Sequence, residues 1–235
     1  MIQFDPACLT DEITEPSLVD VANAALAKLY GLKLLHIILP AQKTGIRFPN
    51  MVRTYIQCHL RRLLMFVEGG IDEYEKGRPL LAFTAARSMY ESIAAFYDFT
   101  TQFNELLDKG DLEGARQFLM SRTFATRLPE HLEPDGSNKA INIVTLVQRL
   151  DKKIPQFEEA YNRMSEFVHP NAYGSAVHFH KIENGVATFS DTGGNPTQPL
   201  TYLILASFLS SLFLSCIAEI EQRLAVLSFP REPEE

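Results

Sequence analysis

The sequence predicts an all-α protein, a single-domain bundle of about seven helices with one small β-hairpin inserted before the last helix. Three observations carry this. Apolar residues recur at helical spacing over most of the 235 residues, and prolines and glycines punctuate these runs where helices start and stop. The period falls to two only between 176 and 191. A hydrophobic fraction of 46% with 22% charged residues is that of a globular chain and excludes extensive disorder.

Residues 1–15 lack periodicity and form an expected loose arm, and 229–235 form a tail; the domain occupies 16–228. Ser17 is placed to cap a first helix that ends by Pro40, with Gly31 as a break. The second helix is expected from about Pro49 to Val67, stopping at Gly69-Gly70. Pro79 opens a third that runs to Lys109, where Gly110 supplies the stop. Shorter helices are expected near 112–126, 139–150 and 155–168, divided by a loop with the turn signal Pro134-Asp135-Gly136. Asn184-Gly185 between two alternating runs marks the hairpin, 176–191.

The last helix, about Pro199 to Leu227, contains nineteen uncharged residues from Leu200 to Ala218. That length could span a bilayer. Its five hydroxyls and the Ser207, Ser211, Ser215 spacing instead predict a buried central helix or a dimer contact. No membrane is therefore expected among the partners. Three cysteines without a C-x-x-C pattern, and a start without a basic, apolar leader, predict a cytoplasmic protein with reduced thiols.

The net charge of −7 is unevenly spread. From Val21 to Val67 there is no acidic residue but there are seven basic ones, so the rest of the chain sums to −14. Arg47, Arg53, Arg61 and Arg62 are the candidate nucleic-acid-binding residues of this stretch, with Tyr55 and His59 among them. The alternative is a set of solvated or internally paired cations.

Residues 161–171 carry the densest chemistry: Tyr161, Asn162, Arg163, Met164, Ser165, Glu166, Phe167, Val168, His169, Pro170, Asn171. Ser165 and His169 share a helix face, and Pro170 places His169 where helix becomes loop. Ser165 is expected to bond the carbonyl four residues back, and no G-x-S-x-G elbow surrounds it, so serine hydrolysis is not expected. Arg87 and Glu91 lie four apart on a third helix that is apolar over most of its circumference. This predicts a partly buried pair, either an internal salt bridge or a support for the 161–171 segment.

The R-x-x-x-E helix followed by Y-x-x-x-S-x-x-V-H-P-N resembles bacterial helical families of unknown function that look like distant relatives of HEPN domains (higher eukaryotes and prokaryotes nucleotide-binding). The similarity covers mainly 80–98 and 161–175. Catalytic members carry an arginine and a histidine separated by four to six residues, and Arg163 and His169 have five between them. The chain departs from the family pattern at Met164, where a polar residue is usual. The resemblance implies metal-independent RNA cleavage at a dimer interface, with His169 as general acid or base and Arg163 stabilising phosphorane charge. Arg87, Glu91, Ser165, Glu166 and Asn171 would form the supporting polar junction.

Two other readings stand beside this one. The chain could be a non-catalytic helical interaction or regulatory module. Alternatively, His169, His178, His180 and Asp191 could hold a metal, since residues two apart on the hairpin share a face. No phosphate-cradling glycine loop occurs, so nucleotide-triphosphate hydrolysis is not expected, and no cofactor is expected. The candidate partners are RNA, a protein and a second copy of the chain.

Overall fold

The computed structural model describes residues 3–5, 13–40, 47–190 and 197–227. In chain order the helices are α1 (Pro16–Gly31), α2 (Arg47–Glu75), α3 (Pro79–Asp108), α4 (Leu112–Thr123), α5 (Ile143–Asp151), α6 (Phe157–Val168), the single turn α7 (Val177–Phe179) and α8 (Thr197–Val226). Strands β1 (His180–Glu183) and β2 (Val186–Phe189) form an antiparallel hairpin before α8. The all-α class with one small hairpin is thus observed.

Helix α3 is the axis of the bundle. It packs against α2, α8, α4, α5 and α6, while α1 lies on α8. The aromatic spacing on α3 explains this position: Phe83, Phe96, Phe99 and Phe103 are all buried, so several faces of one helix are apolar. Phe96 stacks on Phe213 of α8 with ring centroids 3.9 Å apart, and Phe99 lies 5.0 Å from Phe103. The polar line on α3 is where the shorter helices attach. Arg87 and Glu91 meet α6, and buried Asp98 accepts from Arg149 of α5 at 2.7 Å and from Arg122 of α4 at 3.4 Å.

Several boundaries differ from expectation. Ser17 does not cap α1; its hydroxyl donates to Glu15, which stands at the cap position without a side-chain capping bond, and Pro16 starts the helix. Helix α2 continues through Gly69-Gly70 to Glu75. A Cβ at Gly70 would meet a Leu203 methyl at 2.5 Å and the Ala85 Cβ at 3.0 Å, so that glycine admits α3 and α8 at a close crossing. The chain turns instead at Gly77, which has φ +69°. Helix α4 stops at Thr123, and α5 begins only after Asn142, whose side chain accepts the Val144 N–H.

Helix α8 confirms a buried role for Ser207 and Ser210, both fully enclosed, but Ser215 is exposed, so the four-residue serine spacing is not one buried seam. By length and composition α8 could cross a membrane, and half of its apolar window is buried within the protein. In the N-terminal segment, Phe4 and Ile13 are buried, and Asn23 clamps the Phe4 backbone by donating to its carbonyl and accepting from its N–H.

Candidate functional site

Helix α6 owes its position to an alternation of apolar and polar residues at helical spacing. Phe157, Tyr161 and Met164 turn inward, leaving Asn162, Arg163 and Glu166 exposed. Tyr161 reaches between Arg87 and Glu91. Its hydroxyl accepts from Arg87 at 2.9 Å and donates to Glu91 at 3.1 Å, and the two charges are 3.4 Å apart. The Arg87 guanidinium also lies over the Tyr161 ring, 5.2 Å from its centroid. This closed triad makes the pair expected on α3 a support for the 161–171 segment. Tyr161 is the member that sequence reasoning did not assign. Its signal was an aromatic residue with a hydroxyl on the inward face of an otherwise polar segment.

Ser165 donates to the Tyr161 carbonyl at 2.9 Å and is buried, as expected for a hydroxyl facing its own helix. His169 takes the C-cap position in extended geometry (φ −73°, ψ 149°), and its backbone N–H bonds Ser165 O at 2.9 Å. The imidazole is exposed. The following loop is fixed by Asn171, which donates to Glu166 at 2.7 Å and accepts from Gly174 N–H at 2.9 Å. Gly174 has no room for a side chain: a methyl there would overlap the His169 carbonyl oxygen. This glycine, also unassigned from sequence, presses on the backbone that carries the histidine.

An open groove of about 780 Å³ runs along α6. Arg87, Tyr161, Arg163, Ser165, Glu166 and His169 line it together. Glu91 stays behind it within the triad. Arg163 bonds Glu159 at 2.7 Å, which holds the guanidinium charged beyond its ordinary range. That pair is fully exposed, so solvent screens it and an anion can compete for it. The groove also carries Asp151, Glu158 and Glu159, so carboxylates outnumber guanidiniums along it. On the other side of α6 is a second cleft, about 630 Å³, floored by Tyr90 and Phe157 and rimmed by Tyr202 and Tyr173. Arg163 borders both clefts.

The remaining candidates lie elsewhere. His178 is not on a strand; it sits in α7, buried against Phe83 and Phe167 with centroids 5.8 and 5.9 Å away, and that burial lowers its pKa. His180 is on β1, paired with Phe189, and its Nδ1 lies 2.7 Å from Ala176 O. The two histidines therefore do not share a strand face, because the extended chain starts only at residue 180. Asp191 lies outside the described residues, and among the described residues no cluster suited to a metal occurs.

The basic stretch is divided. Arg53 is bound by Glu221 of α8 at 2.8 and 2.9 Å, Arg61 donates to the Leu34 carbonyl, and Arg62 lies over Phe66. Arg47 is half-buried at the start of α2. His59 is enclosed between Tyr55 and Phe96, and burial pushes its pKa down to about 4.

No family model matches the chain, and neither a curated protein nor a solved structure matches it.

Proposed function

We propose that the α6 groove is an RNA-directed site in which His169 transfers protons and Arg163 meets phosphate. The observation that supports this reading is that both side chains are exposed on one open groove, above the fixed Arg87–Tyr161–Glu91 triad. In the cleavage step the 2′-hydroxyl oxygen bonds to phosphorus as the bond to the 5′ oxygen breaks. The hydroxyl proton passes to a base, and the leaving oxygen takes one from an acid. Imidazole ordinarily titrates near neutrality and can serve either role. A guanidinium on the rim offsets charge that grows on the phosphorane oxygens. The purified protein should cut single-stranded RNA in EDTA, and His169→Ala should abolish cutting with the thermal melt unchanged. Equal cutting by that variant overturns the reading.

A second reading is a non-catalytic interaction module, and the carboxylates favour it. Asp151, Glu158, Glu159 and Glu166 along the groove oppose a polyanion and suit a basic partner segment. Under it, RNA is left intact by the wild-type protein, and a basic peptide shifts the α6 resonances in solution.

A further inference from the structure

The segment between α1 and α2 is built in an unusual way. Residues 32–40 leave α1 through a turn and run without regular secondary structure antiparallel along α2, held by their backbone rather than by their side chains. Gln57 accepts from the Leu34 N–H and donates to the Leu32 carbonyl, both at 2.9 Å. Arg61 donates to the Leu34 carbonyl, and Asn50 donates to the Ile38 carbonyl at 2.8 Å. Asn50, Gln57 and Arg61 are spaced to lie on one face of α2. At the root of the strap, the Tyr30 hydroxyl donates to Glu68 at 2.8 Å.

The polar staples leave the apolar side chains outside. Leu35 is 94% exposed, Ile38 76%, Leu39 50% and Leu34 46%, and Met65, one turn beyond Arg61, is 68% exposed. Scattered exposed leucines are ordinary, but a run of them carried on a stapled strap is a contiguous patch. They protrude, and the two clefts described above lie at α6 rather than here. Lys28, Lys33, Arg61 and Arg62 are exposed in the same stretch, which contains no acidic residue from Val21 to Val67; Lys33 adjoins Leu34, and Arg61 is tied to the Leu34 carbonyl. Arg53 is excluded from this set because Glu221 holds it.

Protruding aliphatic side chains flanked by Lys33 and Arg61 match a surface that is apolar beneath and anionic above. Two straps facing each other would instead oppose Lys33 and Arg61 of each copy. We propose that residues 32–40 and the adjoining faces of α1 and α2 dock on an anionic lipid bilayer. Leu34, Leu35, Ile38 and Leu39 would enter the acyl boundary, and Lys28, Lys33 and Arg61 would meet lipid phosphates. This is contact with a surface, distinct from any span by α8 and independent of the α6 groove. It runs against the expectation of a chain without a membrane partner.

The test is flotation of the full chain with phosphatidylcholine vesicles, with and without phosphatidylserine. The protein should float with phosphatidylserine vesicles, less so as salt rises. Leu35→Asp with Ile38→Asp should weaken partitioning by about tenfold or more, given what each lost aliphatic chain contributes to membrane burial. Both positions are exposed, so the variant should keep its melting temperature. Failure to float, equal flotation by the variant, or equal binding to uncharged vesicles overturns the proposal. So does a dimer, seen by light scattering, that the same variant splits while vesicles stay unbound, because the strap would then be a self-association surface.

Discussion

At the scale of single residues, the Tyr161 hydroxyl does more than either charge beside it. Arg87 and Glu91 are each about a quarter exposed, so their direct attraction is partly screened. Tyr161 is 3% exposed and couples both to α6. Tyr161→Phe keeps the ring over Arg87 but removes the acceptor for Arg87 and the donor to Glu91. It should cost about 1–2 kcal/mol by urea unfolding, the range for leaving buried polar groups unpaired. A loss well below that would show the triad to be a solvated contact. The 161–171 segment displayed its residue types openly in sequence, and Ser165 went where its local chemistry directs it. Tyr161 was legible as an inward-facing aromatic hydroxyl, but its partners were not, because they lie on α3 about seventy residues away.

At the scale of elements, polar attachment of α4 and α5 to α3 converges on one carboxylate. Asp98 is 7% exposed and joins α3 to Arg122 of α4 and Arg149 of α5. Arg122 is itself only 17% exposed, so removing its counter-charge leaves a cation with little water to solvate it. Asp98→Ala should therefore destabilise the protein by about 3–5 kcal/mol, the cost of breaking one side of a buried pair. Arg163→Ala, at an exposed pair, should leave unfolding unchanged. Similar losses from both would mean that burial does not set the ranking. The Arg87–Glu91 pair was visible in the sequence, though the use of that helix's polar residues to dock the short helices was not. Gly69-Gly70 misled for a related reason. A glycine pair weakens a helix by itself, but here α3 and α8 press on Gly70, and tertiary packing outweighs the local preference.

Across the whole molecule, the hairpin shows what local chemistry can specify. Asn184 and Gly185 take positive φ, and the register His180↔Phe189, Ile182↔Ala187 follows from a two-residue turn. The acid-free stretch shows the reverse, since the partner of Arg53 lies on α8, 168 residues away. Buried histidines add a property of the same long-range kind. His59 on α2 and His178 on α7 sit far apart in sequence, and each is held below its ordinary pKa chiefly by burial, His59 at about 4. His59 Nδ1 finds no hydrogen-bond partner among the described residues, which removes the usual compensation for protonating it in place, and at His178 a hydrogen bond with the Phe167 backbone only partly opposes the effect of burial. With folded values below unfolded ones, the unfolded chain takes up protons first as pH falls. Stability is then intact above about pH 6.5 and declines below it, by up to about 1.4 kcal/mol per pH unit for each histidine. For His59 the decline continues to about pH 4. The carboxylates of Glu73 and Asp108, held low by Arg78 and Arg223, act in a separate window, losing their contribution only as pH falls through the carboxylate range. Urea midpoints at about pH 8, 6 and 5 should fall in that order. His59→Leu, which keeps an apolar side chain in the Tyr55–Phe96 enclosure, should flatten the slope between 6 and 5 while leaving the acid limb in place. An unchanged slope in that variant would assign the acid sensitivity elsewhere.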